Sequence, residues 1–351
     1  GEDPYLGSHL VRHFVRGVQN EGIISVVKHF AFDQQESKGL WTQEPVNNYV
    51  DAKTAWELYY PPFEAAVQEG VAAIMCAKSK INGTNACENP DLLIRDLKGQ
   101  MGFQGFVVSD WAASHGPEAV KAGLDQDMPG SRDVFNGAVE LAGSSYANAT
   151  DESVKRVLAA MYRLRMERRP VSCKPPNCHS AMMSNQRTPS NQKLAREATS
   201  KTIVLLKNTG MLPLDVQKVK RLAVLGKAAA ASPSVDSTGS LPDFYSGGGS
   251  GHVPANQVWT PLQSIRARAA EAGIEIILPE STELAASYNA ALKADAVLII
   301  GATSALEGFD RNSLKLDDGV DALASFIGPV KPTAVLMQLP GAVLMPWRVN
   351  A

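Results

Sequence analysis

Short apolar, β-branched runs alternate with longer amphipathic stretches through the first half of the chain. Residues 24–27, 72–76 and 106–108 read as buried strands, whereas 51–68 and 151–169 carry the 3.6-residue period of surface helices. Such alternation predicts parallel strands joined by crossover helices. From 170 to 191 the period is lost among Pro, Ser, Asn and Cys, and the segment reads as an interdomain linker. The alternation then resumes, with helices expected at 192–201 and 260–272 and strands at 203–206, 222–225, 274–278, 297–300 and 334–338. This half predicts an open α/β sheet covered on both faces. The expected division is a first unit over 1–169, a linker over 170–191 and a second unit over 192–351.

Composition narrows the function classes. The 351 residues favour two domains, and 44% hydrophobic content fills two cores. A formal charge of −2, with acidic and basic residues interspersed, leaves no basic face for a phosphate backbone, so nucleic acid is not an expected partner. No apolar run approaches the roughly 18 to 20 residues that span a bilayer. The opening GEDPYLGSHL is not a signal peptide, so any export signal would lie upstream of it.

Four cysteines bear on the compartment. Cys173 and Cys178 bracket Lys-Pro-Pro-Asn, and Cys76 and Cys87 flank an expected turn at Asn82-Gly83. Two local disulfides are expected, since a zinc site requires denser Cys/His spacing. Sequons at Asn82-Gly83-Thr84 and Asn148-Ala149-Thr150 agree with a secretory route and mark both asparagines for N-glycans.

Candidate chemistry gathers at strand ends. Asp110 ends the run 106–108 as Lys28-His29 ends 24–27, which in a barrel places these polar groups on one rim. An acidic group there either caps the next turn or faces a ligand. A second carboxylate, Glu307, follows the strand 297–300 through a loop of the second unit. Two carboxylates on loop rims suggest glycoside hydrolysis, one attacking the anomeric carbon and the other handling the proton. The run SGGGSGH at 246–252 lacks the GxGxxG order, no P-loop Lys-Ser/Thr pair follows, and no strand directly precedes it, which argues against nucleotide binding.

The segments GEDPYL, VVKHFAFDQQE, ELYYPPFEAAV, NGTNACENP, GFQGFVVSDW, AGLDQDMPG, LAREATSKTIVLLKN, YSGGGSGHV, EGFDRNSLKL and PGAVLMPW resemble, in order and over nearly the whole chain, glycoside hydrolase family 3, the β-glucosidase family. The resemblance implies the later part of a (β/α)8-type barrel over 1–169, then an α/β sandwich over 192–351, incomplete at its C-terminus. It implies an active site between them and retaining hydrolysis of a β-linked glucoside or oligosaccharide through a covalent glycosyl-enzyme, with no cofactor and no metal. Asp110 falls on the nucleophile of the SDW motif and Glu307 on the acid/base of the EG-aromatic-DR loop. Lys28 and His29 match a Lys-His pair that bonds sugar hydroxyls, and Trp111 would flank the aglycone. The glycine run would be a loop near the cleft, where glycines permit close backbone approach to substrate or barrel.

The chain also departs from that pattern. Where the family carries a Tyr beside the nucleophile, this sequence has Lys78, a cation able to pair with Asp110 but without a phenolic hydroxyl or a ring face. The stretch after the Lys-His pair reads Asp33-Gln34-Gln35-Glu36, and the Arg that often follows is absent from Ser37-Lys38-Gly39. The family's barrel begins upstream of GEDPYL, so a completing chain or assembly partner enters the expectations. Two readings result: a secreted, exo-acting retaining β-glucosidase, or a degenerate relative serving as a structural glycoprotein or sugar-binding subunit of an extracellular assembly.

Overall fold

A computed structural model describes residues 2–35, 45–130, 141, 143, 145–169, 173, 177–233, 241–253, 255 and 258–349. The chain separates into two compact units, Gly1–Val171 and Ser172–Ala351. Glu36 and the Ser37-Lys38-Gly39 stretch lie outside the described residues.

In the first unit, helix α1 (Pro4–Asn20) starts on a side-chain cap, with Asp3 accepting the N–H groups of Tyr5 and Leu6 and proline in the first turn. Strands β1 (Val26–Phe30), β2 (Ala73–Cys76) and β3 (Phe106–Ser109) form a parallel sheet in that order. Register aligns Phe30 with Cys76 and Cys76 with Ser109, so the carboxyl ends finish level. That alignment brings His29, Lys78 and Asp110 to one edge. Past β3 the chain returns alongside it: the Ser109 amide donates to the Gln126 carbonyl at 2.9 Å, and Val108 bridges Gln126 in parallel.

The helix expected over 51–68 is divided. Asp51 caps a turn at Ala52–Thr54, a π-helical turn spans Ala55–Tyr59, and α2 (Pro61–Gln68) restarts on two prolines. Pro61 and Pro62 have no N–H for the preceding turn, yet their fixed φ suits a helix start. Helix α2 packs on α1, where Arg16 forks onto Glu69 at 2.8 and 2.9 Å and Gln19 clasps the chain at Gly70 and Ala72. Phe30, Ile74, Leu93, Leu97, Phe103 and Leu124 are fully buried, and Phe30 meets the rings of Tyr60 and Phe63 at 5.4 and 5.0 Å. Helix α3 (Ala147–Arg163) closes another face, with Val157 and Ala160 on Phe106 and Val108. It begins four residues before the expected start and gives way at Arg165, whose φ is 54°.

In the second unit, α4 (Pro189–Thr202) is capped by Thr188 and begins three residues before the expected 192. Strand β4 (Arg221–Leu225), helix α5 (Pro261–Ala272), β5 (Glu275–Ile277), α6 (Leu284–Lys293), β6 (Ala296–Ala302), α7 (Val320–Ile327) and β7 (Thr333–Gln338) follow. The sheet runs β7-β6-β4-β5 with every pair parallel. One face buries Ala223, Leu225 and Ile299 under α6 and α7; the other buries Leu222, Val224 and Ile300 with Leu262 and Ile265 of α5. Both faces are covered, as the pattern predicts. At Gly226, just past β4, an added Cβ would strike the Ile300 carbonyl, so glycine lets the two strand ends approach.

One expected strand is not formed. Residues 203–206 are irregular, with Ile203, Val204, Leu205 and Leu206 between 62% and 72% exposed. β-branched composition favours a pleated, half-buried surface only where a neighbour supplies it, and this run has no ladder partner among the described residues.

Both expected disulfides are present, Cys76–Cys87 and Cys173–Cys178. The first closes a segment whose tip is the expected turn, with Asn82 and Gly83 at φ 50° and 93° between the paired stretches Lys80–Ile81 and Thr84–Asn85. No described helix is long and apolar enough to cross a membrane.

Candidate active site

Asp110 follows directly on β3 and is 9% exposed. Its Oδ1 accepts the Trp111 amide at 2.6 Å, while the Asp110 carbonyl accepts the Ala113 amide at 3.1 Å. The loop is thereby turned at its first residue. His29 Nε2 stands 3.4 Å from Asp110 Oδ2, and Lys78 Nζ stands 3.8 Å from Oδ1. Lys28, expected just past its strand, is instead the exposed middle residue of β1, and Trp111, next to Asp110 in sequence, is 62% exposed. The first unit therefore assembles an ordered, nearly buried carboxylate facing an ammonium and an imidazole.

The loop is braced from behind. Asp127 Oδ1 accepts the hydroxyls of Ser109, at 3.3 Å, and Ser114, and the Ser109 hydroxyl accepts the Met128 amide at 2.8 Å. Glu88 Oε1 accepts the His115 amide at 2.6 Å and faces its Nδ1 at 3.2 Å. Because Glu88 adjoins Cys87, the Cys76–Cys87 bond links this support to the segment that carries Lys78.

Glu307 lies in the loop after β6, in the second unit. Its Oε2 accepts both the amide and the hydroxyl of Ser250 at 2.5 Å, and its own amide donates to the Gly248 carbonyl at 3.3 Å. Gly249, at φ 91°, lies so close to Glu307 that an added Cβ would collide with the acidic side chain. The close approach expected of the glycine run is thus made to Glu307 itself. In open α/β sheets, ligands gather outside strand carboxyl ends where strand order reverses. Strands β4 and β6 flank such a point here, and the Glu307 loop leaves from one of them.

The glycosyl hydrolase family 3 N terminal domain matches residues 1–160, and the glycosyl hydrolase family 3 C-terminal domain matches 203–351. The chain belongs to glycoside hydrolase family 3. It is 32% identical to probable beta-glucosidase L of Emericella nidulans, over 98% of this chain and 49% of that protein. It is 33% identical to beta-glucosidase cel3A of Pyricularia oryzae, over 88% of this chain and 43% of that protein. Among solved structures it is similar to beta-glucosidase D2-BGL of Chaetomella raphigera, with TM-score 0.85, 28% identity, and coverage of 99% of this chain and 51% of that one. The beta-D-glucoside glucohydrolase of Trichoderma reesei gives TM-score 0.82 at 28% identity, with 99% and 51% covered. The chain spans about half the length of the relatives it matches. Its fold is the family's: part of a (β/α)8-type barrel, not closed among the described residues, followed by an α/β sandwich.

Several residues that brace the Asp110 and Glu307 loops were not assigned from sequence. Asp127, Glu88 and His115 act by hydrogen bonds across separate segments, which no local periodicity reports. Ser250 was visible within the glycine run, yet only its contact with Glu307 gives it a role. Among the described residues no cluster of His, Cys, Asp and Glu could hold a metal ion.

Proposed function

We propose that this chain carries the catalytic groups of a secreted, retaining, exo-acting β-glucosidase that releases terminal glucose from β-linked glucosides or oligosaccharides. Asp110 is the nucleophile: its carboxylate forms a bond to the anomeric carbon as the glycosidic C–O bond breaks, and Glu307 protonates the leaving oxygen. Glu307 then takes a proton from water, which displaces Asp110 and restores both groups. Lys28 and His29 bond sugar hydroxyls, and Trp111 packs against the aglycone. Residues 1–169 and 192–351 act as the two domains, joined by 170–191. Asn82, at an exposed turn, and Asn148, in the first turn of α3, carry N-glycans.

The observation that carries this reading is the Asp110 carboxylate, ordered by the Trp111 amide at the carboxyl end of a parallel strand. Relatives named as beta-glucosidases support the reaction class. One observation favours the second reading, a sugar-binding relative without turnover: Lys78, 3.8 Å from Asp110, stabilises the free carboxylate that must become an ester. The test uses the full-length glycoprotein with an aryl β-glucoside and a 2-deoxy-2-fluoro glucoside that traps the intermediate. Turnover with retained configuration and a label on the peptide containing Asp110 is expected. Glucose binding with neither turnover nor label would establish the second reading instead.

A further inference from the structure

Among the described residues, Asp110 is ion-paired with one ammonium and faces one imidazole. Its carboxylate faces the Lys78 ammonium at 3.8 Å and the His29 imidazole at 3.4 Å. Two acids that brace the Asp110 loop are engaged elsewhere: Asp127 by the Ser109 and Ser114 hydroxyls, and Glu88 by His115. Lys78 is half-exposed, and among the described residues its ion pair is with Asp110 alone. At 3.8 Å that contact is a charge interaction beyond hydrogen-bond length, which leaves the ammonium's donors available.

Catalysis makes this ion pair consequential. When Asp110 bonds to the anomeric carbon, the glycosidic C–O bond breaks and the leaving oxygen departs with a proton from the acid. The carboxylate becomes a neutral ester, and Lys78 loses its counter-charge at that step. For a neutral glucoside, Lys78 stabilises the ground state and works against attack. A substrate bearing its own anion would instead receive the ammonium as Asp110 becomes esterified, so the ion pair is exchanged rather than lost.

We propose that Lys78 is a specificity residue that directs this site toward glycosides carrying an anionic group on the sugar, a carboxylate or a phosphate. The proposal rests on Asp110 being the nucleophile and names the substrate class of that same site.

The experiment compares kcat/KM of the full-length protein for 4-nitrophenyl β-glucoside, the β-glucuronide and the β-glucoside 6-phosphate, in wild type, Lys78→Met and Lys78→Arg. One anionic substrate is expected to exceed the neutral one by about tenfold, the difference a single charge-assisted hydrogen bond supplies. Lys78→Met should remove that ratio and Lys78→Arg should largely keep it; the preferred anion separates carboxylate from phosphate recognition. A ratio favouring the neutral glucoside and unmoved by Lys78→Met overturns the inference while leaving the β-glucosidase reading intact. Should no substrate turn over, calorimetric titration with glucuronate, glucose 6-phosphate and glucose decides the same question. An anionic sugar bound about tenfold tighter, with the advantage lost in Lys78→Met, upholds the anion site and removes the catalytic reading. Equal affinities overturn the anion site.

Discussion

Asp110 and Glu307 are placed by opposite devices. Asp110 is set by its own backbone, since the Trp111 amide folds back onto Oδ1 at 2.6 Å and leaves Oδ2 toward His29. Glu307 sits on an exposed loop and is set by a partner segment, through the Ser250 amide and hydroxyl. Replacing Glu307 with Gln should therefore spare aryl glucosides whose leaving groups need little protonation and slow alkyl glucosides most, by about 10² to 10⁴ in kcat. Gly249→Ala should reproduce that dependence in weaker form, because the new Cβ displaces the same carboxylate without altering its chemistry. A leaving-group series measured for both variants checks the pair. Equal losses on aryl and alkyl substrates would remove Glu307 from proton transfer.

At the scale of elements, buried charge does the fastening. The Asp91–Gln100 helix reaches β3 through Lys98, whose ammonium lies 2.8 and 2.9 Å from the Asp125 carboxylate. Burial holds the Lys98 pKa below its usual value even against the pull of Asp125. Asp125 also accepts the Val107 amide at 2.7 Å and the Ser153 hydroxyl at 3.0 Å, so one carboxylate ties helix, strand and α3 together. Lys98→Met should cost about 3 to 5 kcal/mol in denaturant unfolding, since it leaves that carboxylate without its cation. Removing the Cys76–Cys87 bond by a double Cys→Ser change should cost about 2 to 4 kcal/mol and loosen the segment bearing Lys78. In the second unit, Asp295 accepts the amides of Lys220 and Arg221 at the start of β4, and these bonds depress its pKa. A carboxyl with a lowered folded-state pKa stabilises above its unfolded value and loses that contribution as pH falls through the folded one. Asp295→Asn should therefore flatten the loss of stability on acidification below the ordinary carboxylate range, measured by unfolding as a function of pH.

The sequence was most legible where structure is periodic. Three strands of the first unit and four of the second lie where apolar runs predicted them, with ends shifted by up to three residues. The 51–68 helix misled because its amphipathic period continues through Pro61-Pro62, whose backbone effect hydropathy does not carry. The 203–206 run misled because its composition is that of a strand, while strand formation depends on a neighbour. Asp110 was legible as a polar interruption at a strand end, whereas Lys28 and His29, expected past their strand, lie within it because β1 runs on to Phe30. Asp127, Glu88 and Ser250 were not legible, because their roles arise from contacts between distant segments.

For the molecule as a whole, the informative surface is apolar. On α1, Leu6, Leu10 and Phe14 recur at helical spacing and are 54%, 61% and 65% exposed, opposite the face that packs on α2. Among the described residues β1 lies at the edge of its sheet, with Val26 40% exposed, and Ile203 to Leu206 add a second apolar run in the other unit. Contiguous apolar patches beyond a few hundred Å² mark contact surfaces or association hazards. The 351-residue chain should therefore self-associate in a concentration-dependent way and bind an apolar dye. Phe14→Lys combined with Leu205→Lys should shift the isolated chain toward monomer in sedimentation velocity without altering its far-ultraviolet circular dichroism. A monomeric, dye-silent isolated chain would mean that these side chains are sheltered in solution, and the double substitution would then leave its sedimentation unchanged.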